Sequence, residues 1–305
     1  MRIAVTGATG FLGRYIVGRL AKRHDLRCWH RPTSDRSGFE QVAERLEWLV
    51  GELGDEAAAH ELASGCEAVV HAALYHPGGG FRGGEGDLAS FAEKNVVGTL
   101  KLMEAARAAG VGRFVFISTC AVYEKILDDR PLDEAHPLWP GSHYGAHKAA
   151  LEKFVHSYGL GMGYPICALR PTGIYGLAHP AADSKWFELV RRIVADEPVD
   201  CRRGGKEVHA GDVAQAVEVL LAAPAEAIAG EAFNCYDVYV SEWDVAMLAK
   251  NISRSATVVE GTQTTPKHQI RTDKLRRLGM TFGGQELLRQ TVEQLVAAAH
   301  GPFLA

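Results

Sequence analysis

Tyr144 and Lys148, in the run Tyr144-Gly145-Ala146-His147-Lys148, stand one helical turn apart, so a phenol and an ammonium share one helix face. A free phenol, with a pKa of about 10, is a poor base at neutral pH. A neighbouring ammonium, joined by the positive ring of an oxidised nicotinamide, favours the phenolate and brings it into range for proton transfer. Thr119 can hydrogen-bond a substrate oxygen and hold it beside phenol and nicotinamide. At the other end of the same half, Gly7-Ala8-Thr9-Gly10-Phe11-Leu12-Gly13 follows an apolar run and opens a helical one. Glycines there remove Cβ atoms, so backbone N–H groups can approach a pyrophosphate at the helix N-terminus. The residues describe proton transfer at a substrate oxygen facing a bound dinucleotide, with Tyr144, Lys148 and Thr119 as catalytic candidates.

Such residues need a scaffold, and the first two thirds of the chain alternate strand and helix signals. Strands are read at Arg2 to Thr6, Leu26 to His30, Leu46 to Val50, Glu67 to Ala72, Arg113 to Ser118 and Tyr164 to Leu169. Helices are read at Phe11 to Arg23, Asp55 to Ala63, Leu88 to Ala109, and from an N-cap at Ser142 to about Tyr158. Short apolar runs between helices mean strands buried on both faces, hence an α/β fold with a doubly wound parallel (Rossmann) sheet. Beyond Pro171 the elements shorten, and a smaller C-terminal substrate-binding lobe is expected. The reading assigns 1–172 plus 209–229 to a dinucleotide-binding domain and 173–208 plus 230–305 to the lobe.

Of 305 residues, 47% are hydrophobic, and 33 basic against 37 acidic side chains give a net charge of -4. No basic field draws nucleic acid to such a chain. No apolar stretch approaches a membrane span, and no signal-peptide core follows Met1. Six scattered cysteines without a Cys-x-x-Cys pair read as reduced thiols, so a cytoplasmic location is expected. No cluster has metal-ligand spacing, and no metal is expected.

The second strand bears on cofactor choice. An NAD site usually ends that strand with a carboxylate for the ribose hydroxyls. Here it ends in His30-Arg31 followed by Pro32-Thr33-Ser34, where an arginine and two hydroxyls can hold a 2′-phosphate. NADP is therefore expected over NAD, with Arg31 as the reader. Tyr75 and His76 follow the fourth strand at the sheet's mouth and are candidate substrate contacts. His147, between Tyr144 and Lys148, is expected to point to the surface. The stretch Pro77 to Gly86, with six glycines, reads either as a surface loop or as a flap over substrate.

On these motifs the chain resembles the extended short-chain dehydrogenase/reductases, also called the NAD-dependent epimerase/dehydratase family. Further segments carry the likeness: Gly51-Glu52-Leu53, Val70-His71-Ala72-Ala73, Asn95-Val96-Val97-Gly98-Thr99, Ser118-Thr119-Cys120-Ala121-Val122-Tyr123, Arg170-Pro171-Thr172-Gly173-Ile174-Tyr175-Gly176 and Val208-His209-Ala210-Gly211-Asp212-Val213-Ala214. The resemblance implies that Glu52 and Leu53 lie against adenine, and that Gly7, Thr9, Gly10, Phe11, Leu12, Gly13, Ala72, Ala73 and Asn95 shape the cofactor site. It also implies that Lys148 holds the nicotinamide ribose and that backbone from Pro171 to Ile174 holds the carboxamide. A homodimer packed through Leu88 to Ala109 and Ser142 to Tyr158 is a further implication.

The departures narrow the substrate. Family dehydratases carry Asp-Glu after the catalytic threonine; this chain has Cys120-Ala121. Many nucleotide-sugar epimerases place an asparagine at the position of Gly173 and an arginine about four residues before the histidine matched by His209; here that second region reads Gly204-Gly205-Lys206-Glu207, with Arg202, Arg203 or Lys206 as alternatives. The leading expectation is an NAD(P)-dependent oxidoreductase that moves hydride between the nicotinamide and a small-molecule secondary alcohol or ketone, with Tyr144 as general acid/base. A nucleotide-sugar 4-epimerase with tightly bound NAD is the alternative, and a non-catalytic NAD(P)-binding sensor a third.

Overall fold

The computed structural model describes residues 1–78 and 83–301. In chain order it runs β1 (Arg2–Thr6), α1 (Phe11–Leu20), β2 (Asp25–His30), β3 (Leu46–Val50), α2 (Glu56–Ala63), β4 (Ala68–His71), α3 (Leu88–Ala92), α4 (Gly98–Ala108), β5 (Arg113–Ile117), α5 (His143–Met162) and β6 (Ile166–Pro171). It continues through β7 (Gly173–Tyr175), α6 (Phe187–Val194), β8 (Val199–Cys201), β9 (Gly204–His209), α7 (Ala210–Ala222), α8 (Ala225–Ile228) and β10 (Glu231–Cys235). The last elements are β11 (Val238–Ser241), α9 (Glu242–Ser253), β12 (Val259–Gly261), α10 (Asp273–Arg277) and α11 (Gly284–His300).

Two compact units form. The first holds Met1–Pro171, Val213–Cys235 and Ile270–Met280. Its sheet runs in the order β10-β6-β5-β4-β1-β2-β3. Every pairing in it is parallel. β4 and β6 are buried along their whole length, as a sheet covered on both faces requires. Strand order reverses beside β1, the place where an open α/β sheet binds ligands at its carboxyl edge. A core of Leu62, Val69, Leu102, Phe114, Phe116, Val155 and Ile166, among others, backs this sheet.

The second unit holds Thr172–Asp212, Tyr236–Gln269 and the segment from Thr281 onward. It contains the three-stranded sheet β11-β9-β7 and the pair β12-β8. Its own core gathers Phe187, Val190, Ile193, Val245, Leu288, Val292 and Leu295. The division differs from the sequence reading at Thr172 and 209–212, which group with the second unit, and at 230–235 and 270–280, which group with the first. Glu231-Ala-Phe-Asn-Cys pairs along β6 as the seventh strand, and 270–280 groups with it, whereas the sequence pattern places both in the lobe. β10, Glu-Ala-Phe-Asn-Cys, lacks the continuous apolar run that marks the other buried strands, because it carries Glu231 and Asn234.

The helix expected over Leu88 to Ala109 is present with an interruption: a π turn at Glu93–Val97 joins α3 to α4. Ser142 caps α5 by accepting from Gly145 N at 3.2 Å. Gly163, at φ 68°, ends it in the left-handed conformation that glycine adopts without steric cost. Residues 79–82 of the glycine-rich stretch lie outside the described residues, and the flap expected there with them.

Candidate active site

The glycine turn is pressed against the end of β4. Gly7 has φ 70°, and a Cβ on it would lie 2.7 Å from the Ala72 carbonyl carbon and 2.8 Å from Ala73 N. Only glycine fits there, and Ala72 and Ala73 thereby come beside the turn. Gly10 N bonds Gly7 O at 3.0 Å, and Gly13 is buried in the first turns of α1. Thr9, Phe11 and Leu12 are half-buried around this cradle. Arg14, which sequence reasoning missed, braces it: Nε donates to Thr9 O at 3.2 Å, and the two terminal nitrogens donate to Ser37 O at 2.6 Å and Asp35 O at 3.0 Å. Its guanidinium also lies 4.8 Å from the centre of the Phe39 ring.

Arg31 directly follows β2. Its backbone N donates to Ser34 Oγ at 3.0 Å, and its side chain is exposed and in no ion pair among the described residues. Glu52 is exposed and Leu53 buried. Glu52 accepts from Lys94 Nζ at 3.2 Å, and the same ammonium lies 5.2 Å from the centre of the Tyr75 ring. Asn95 is buried inside the π turn and clamps the backbone of Tyr75 from both sides: Oδ1 accepts from Tyr75 N, and Nδ2 donates to Tyr75 O, each at 2.8 Å. A π turn at a functional position is a recurrent device, because its extra residue re-aims a side chain. His76, in contrast, is exposed with its Nδ1 3.0 Å from Gly78 O.

Thr119 is 8% exposed, and its Oγ1 accepts from Ala121 N at 3.1 Å, which fixes the hydroxyl at the start of a short turn. A Cβ on Gly145 would fall 2.7 Å from Ala121 O. The start of α5, with half-buried Tyr144, thus packs directly on the Thr119 turn. Lys148 is buried and donates from Nζ to Ile117 O at 2.8 Å, with the Phe116 ring 4.6 Å away. Burial pulls its pKa down to about 7, against the upward pull of Glu152. β5 and α5 therefore bring Thr119, Tyr144 and Lys148 into one region.

His147 does not point to the surface. It is 6% exposed, stacked edge-on against Phe91 at 5.0 Å and 5.5 Å from the Tyr144 ring. Burial first, then the charge of Lys148, lowers its pKa to about 3, so the imidazole is neutral. The expectation failed because α3 covers a helix face that geometry alone leaves open. His71 is likewise a neutral core histidine, with Thr6 Oγ1 2.6 Å from Nδ1 and Thr99 Oγ1 2.9 Å from Nε2.

Beneath the site lies a buried network that sequence reading missed. Glu152, fully buried, accepts from Arg170 Nε at 3.0 Å to each oxygen, from a second Arg170 nitrogen, and from the Ser118 hydroxyl. Arg170 also donates to the Tyr123 hydroxyl, which in turn donates to Asn234 Oδ1 at 3.0 Å. One carboxylate thus ties α5 to the ends of β5 and β6, immediately before Thr119 and Pro171. The available signal was an acid four residues after Lys148 in an otherwise apolar helix stripe. Cys120 donates its thiol to Arg170 O at 3.0 Å, and burial pushes its pKa up to about 12.

In the second unit Ile174 is half-buried on β7, and Arg202 is exposed and paired with Asp200 at 2.8 Å. Among the described residues, no cluster of three histidine, cysteine or acidic side chains is placed to hold a metal ion. All six cysteines are free. No helix among the described residues is long and apolar enough to cross a membrane.

A parallel sheet in this order, with a glycine cradle at its switch point, defines the class: a dinucleotide-binding Rossmann fold. The comparisons agree. Residues 3–235 match the model of the NAD dependent epimerase/dehydratase family, and the chain belongs to that family, of extended short-chain dehydrogenase/reductase type. It is similar to a UDP-glucose 4-epimerase of Rhizobium meliloti, 32% identical over 188 residues, 61% of this chain and 56% of that protein. It is also similar to a Stigmatella aurantiaca enzyme, 4-hydroxy-2-methyl-3-oxo-4-farnesyl-3,4-dihydroquinoline-1-oxide ketoreductase, 34% identical over 197 residues, 63% and 55% of the two chains. The matches span about half the length of these relatives. Among solved structures, a Thermus thermophilus UDP-glucose 4-epimerase in complex with NAD superimposes with a TM-score of 0.77 at 26% identity, covering 98% of this chain and all of that one.

Proposed function

We propose that the protein is an NADP-preferring oxidoreductase that interconverts a secondary alcohol and a ketone. The observation that carries this reading is the packing of α5 on the Thr119 turn, with Lys148, one helical turn after Tyr144, buried against Ile117 O. The glycine cradle, with no room for a Cβ at Gly7, suits a pyrophosphate; Glu52 and Leu53 suit the adenine end and Lys148 the nicotinamide ribose. Pro171 and Ile174 would hold the carboxamide, and Arg31 with Ser34 a 2′-phosphate. When bound, the nicotinamide supplies or accepts the hydride. Thr119 orients the substrate oxygen, Tyr144 gives that oxygen its proton on reduction or removes it on oxidation, and the Lys148 ammonium favours the phenolate. The Cys120 thiol, with its pKa up at about 12, cannot serve as the acid or base of a dehydration at neutral pH.

Likeness to a ketoreductase supports net redox, whereas likeness to UDP-glucose 4-epimerases favours a second reading, in which hydride leaves and returns within one turnover. Native purification followed by mass spectrometry separates them. An empty or exchangeable site with NADPH-dependent ketone turnover supports the first; full loading with NAD and no net turnover overturns it. Tyr144→Phe is expected to lower turnover by about 10²–10⁴-fold while cofactor affinity stays within threefold; full activity in this variant would sink the mechanism. We further propose a cytoplasmic homodimer, paired through Leu88 to Ala109 and Ser142 to Tyr158, where Leu88, Val97 and Phe154 are exposed.

A further inference from the structure

Six buried side-chain polar atoms among the described residues have no hydrogen-bond partner, and three of them lie in the second unit: Tyr175 Oη and Glu207 Oε2 in the β7–β9 ladder, and Thr172 Oγ1 directly before β7. Buried polar groups in folded proteins are nearly always paired, so such a concentration asks for an explanation. Glu207 is the sharpest case. It is 4% exposed and stands opposite Gly173 in the β7–β9 register. Its other oxygen, Oε1, is bonded by the ammonium of Lys185, which also lies over the Trp186 ring.

The carboxylate occupies space that two glycines leave. A Cβ on Gly173 would fall 2.5 Å from Oε2, and one on Gly205 would fall 2.5 Å from Oε1. Glu207 and Gly205 share a strand face, being two residues apart. Any side chain at either glycine would displace the carboxylate, so the three residues form one unit: two vacancies and the acid that fills them. Lys185 neutralises its charge once and leaves an acceptor-only oxygen seeking a donor.

We infer that Glu207, held by Lys185, is the substrate-reading group of the second unit, and that the substrate offers it a hydroxyl or amine rather than a phosphate. The inference rests on the oxidoreductase reading and deepens it by naming the substrate class. Burial raises the pKa of Glu207 and the Lys185 ammonium pulls it back; paired with that ammonium, the carboxylate accepts from an O–H or N–H and repels a diphosphate brought to the same ladder. The glycines sharpen this selection, because opposite Val238 and Val240 of β11 they leave the acid as the charged side chain on that stretch of the ladder.

The test needs no turnover. The full chain, saturated with NADP, is titrated with UDP by calorimetry, alongside Glu207→Gln, whose cofactor binding is checked by NADPH fluorescence. The wild-type chain is expected to bind UDP with Kd above 100 µM, and the variant at least fivefold more tightly than wild type. A wild-type Kd below 100 µM overturns the inference, and so does a folded variant that binds UDP no more tightly. The wild-type arm decides alone if the variant does not fold. Because proton transfer is tested separately through Tyr144→Phe, failure of either reading leaves the other measurable.

Discussion

Glu152, one helical turn beyond Lys148 on α5, opposes the burial that would strip the lysine of its proton, and its own carboxylate is held by Arg170 on the far side. The buried carboxylate thus serves the Arg170 guanidinium and whatever charge Lys148 keeps with a pKa of about 7. Removing the anion leaves the buried Arg170 guanidinium uncompensated and lowers the Lys148 pKa further.

Glu152→Gln is therefore expected to destabilise the protein by about 3–5 kcal/mol, the usual cost of breaking a buried pair from one side. Urea denaturation measures it, and a loss under 1 kcal/mol would show that the network is not a structural pivot.

Lys148 carries a pH signature. Its native pKa of about 7 lies below the ordinary lysine value of 10.5, so between those limits the native state binds fewer protons than the unfolded chain. Stability then rises with pH through that window, from linkage. Lys148→Met is expected to remove that slope: urea midpoints of the two cofactor-free proteins at pH 7.5, 8.5 and 9.5 should diverge steadily, and parallel curves would contradict the assignment.

The acid side has the same logic with histidines. His71 and His147 at about 3, and His209 at about 4, are all held below the ordinary 6.5 by burial. Their stabilising contribution is complete above 6.5 and is lost as pH falls toward those values, up to about 1.4 kcal/mol per pH unit for each group. His147→Phe, which keeps a ring against Phe91 and removes an unpartnered Nδ1, is expected to reduce the fall in melting temperature between pH 7 and 5. An unchanged fall would mean that His147 takes up its proton in the folded protein as readily as in the unfolded chain.

Arg31→Ala is expected to raise the KM for NADPH about tenfold, on the order of 1.4 kcal/mol, and to leave that for NADH within twofold. Steady-state kinetics with both cofactors decides it. Equal effects would return Arg31 to the solvated surface.

Much of the first unit was legible because each buried parallel strand is a short apolar run bounded by turn residues, and because Gly7, Tyr144 and Lys148 follow local rules. What escaped depends on long-range partners. Glu152 is defined by Arg170, 18 residues away, Arg14 by the loop at Asp35 to Phe39, and the burial of His147 by Phe91 on another helix. Glu207 could be read only as an ordinary charged strand residue until Gly173 and Gly205 were seen to make room for it.

The π turn gives one helix two phases. Before it, Phe91 of α3 meets His147; after it, Gly98 of α4 lies so close to Gly54 N that a Cβ would come within 2.6 Å. One residue advances an α-helix by roughly 100°, so trimming a single position from Glu93–Val97 would set both ends in common step and swing one of them off its neighbour. The irregularity acts as a gearing between the loop after β3 and the helix of Tyr144. Its length, rather than the identity of any side chain in it, is what keeps both engaged.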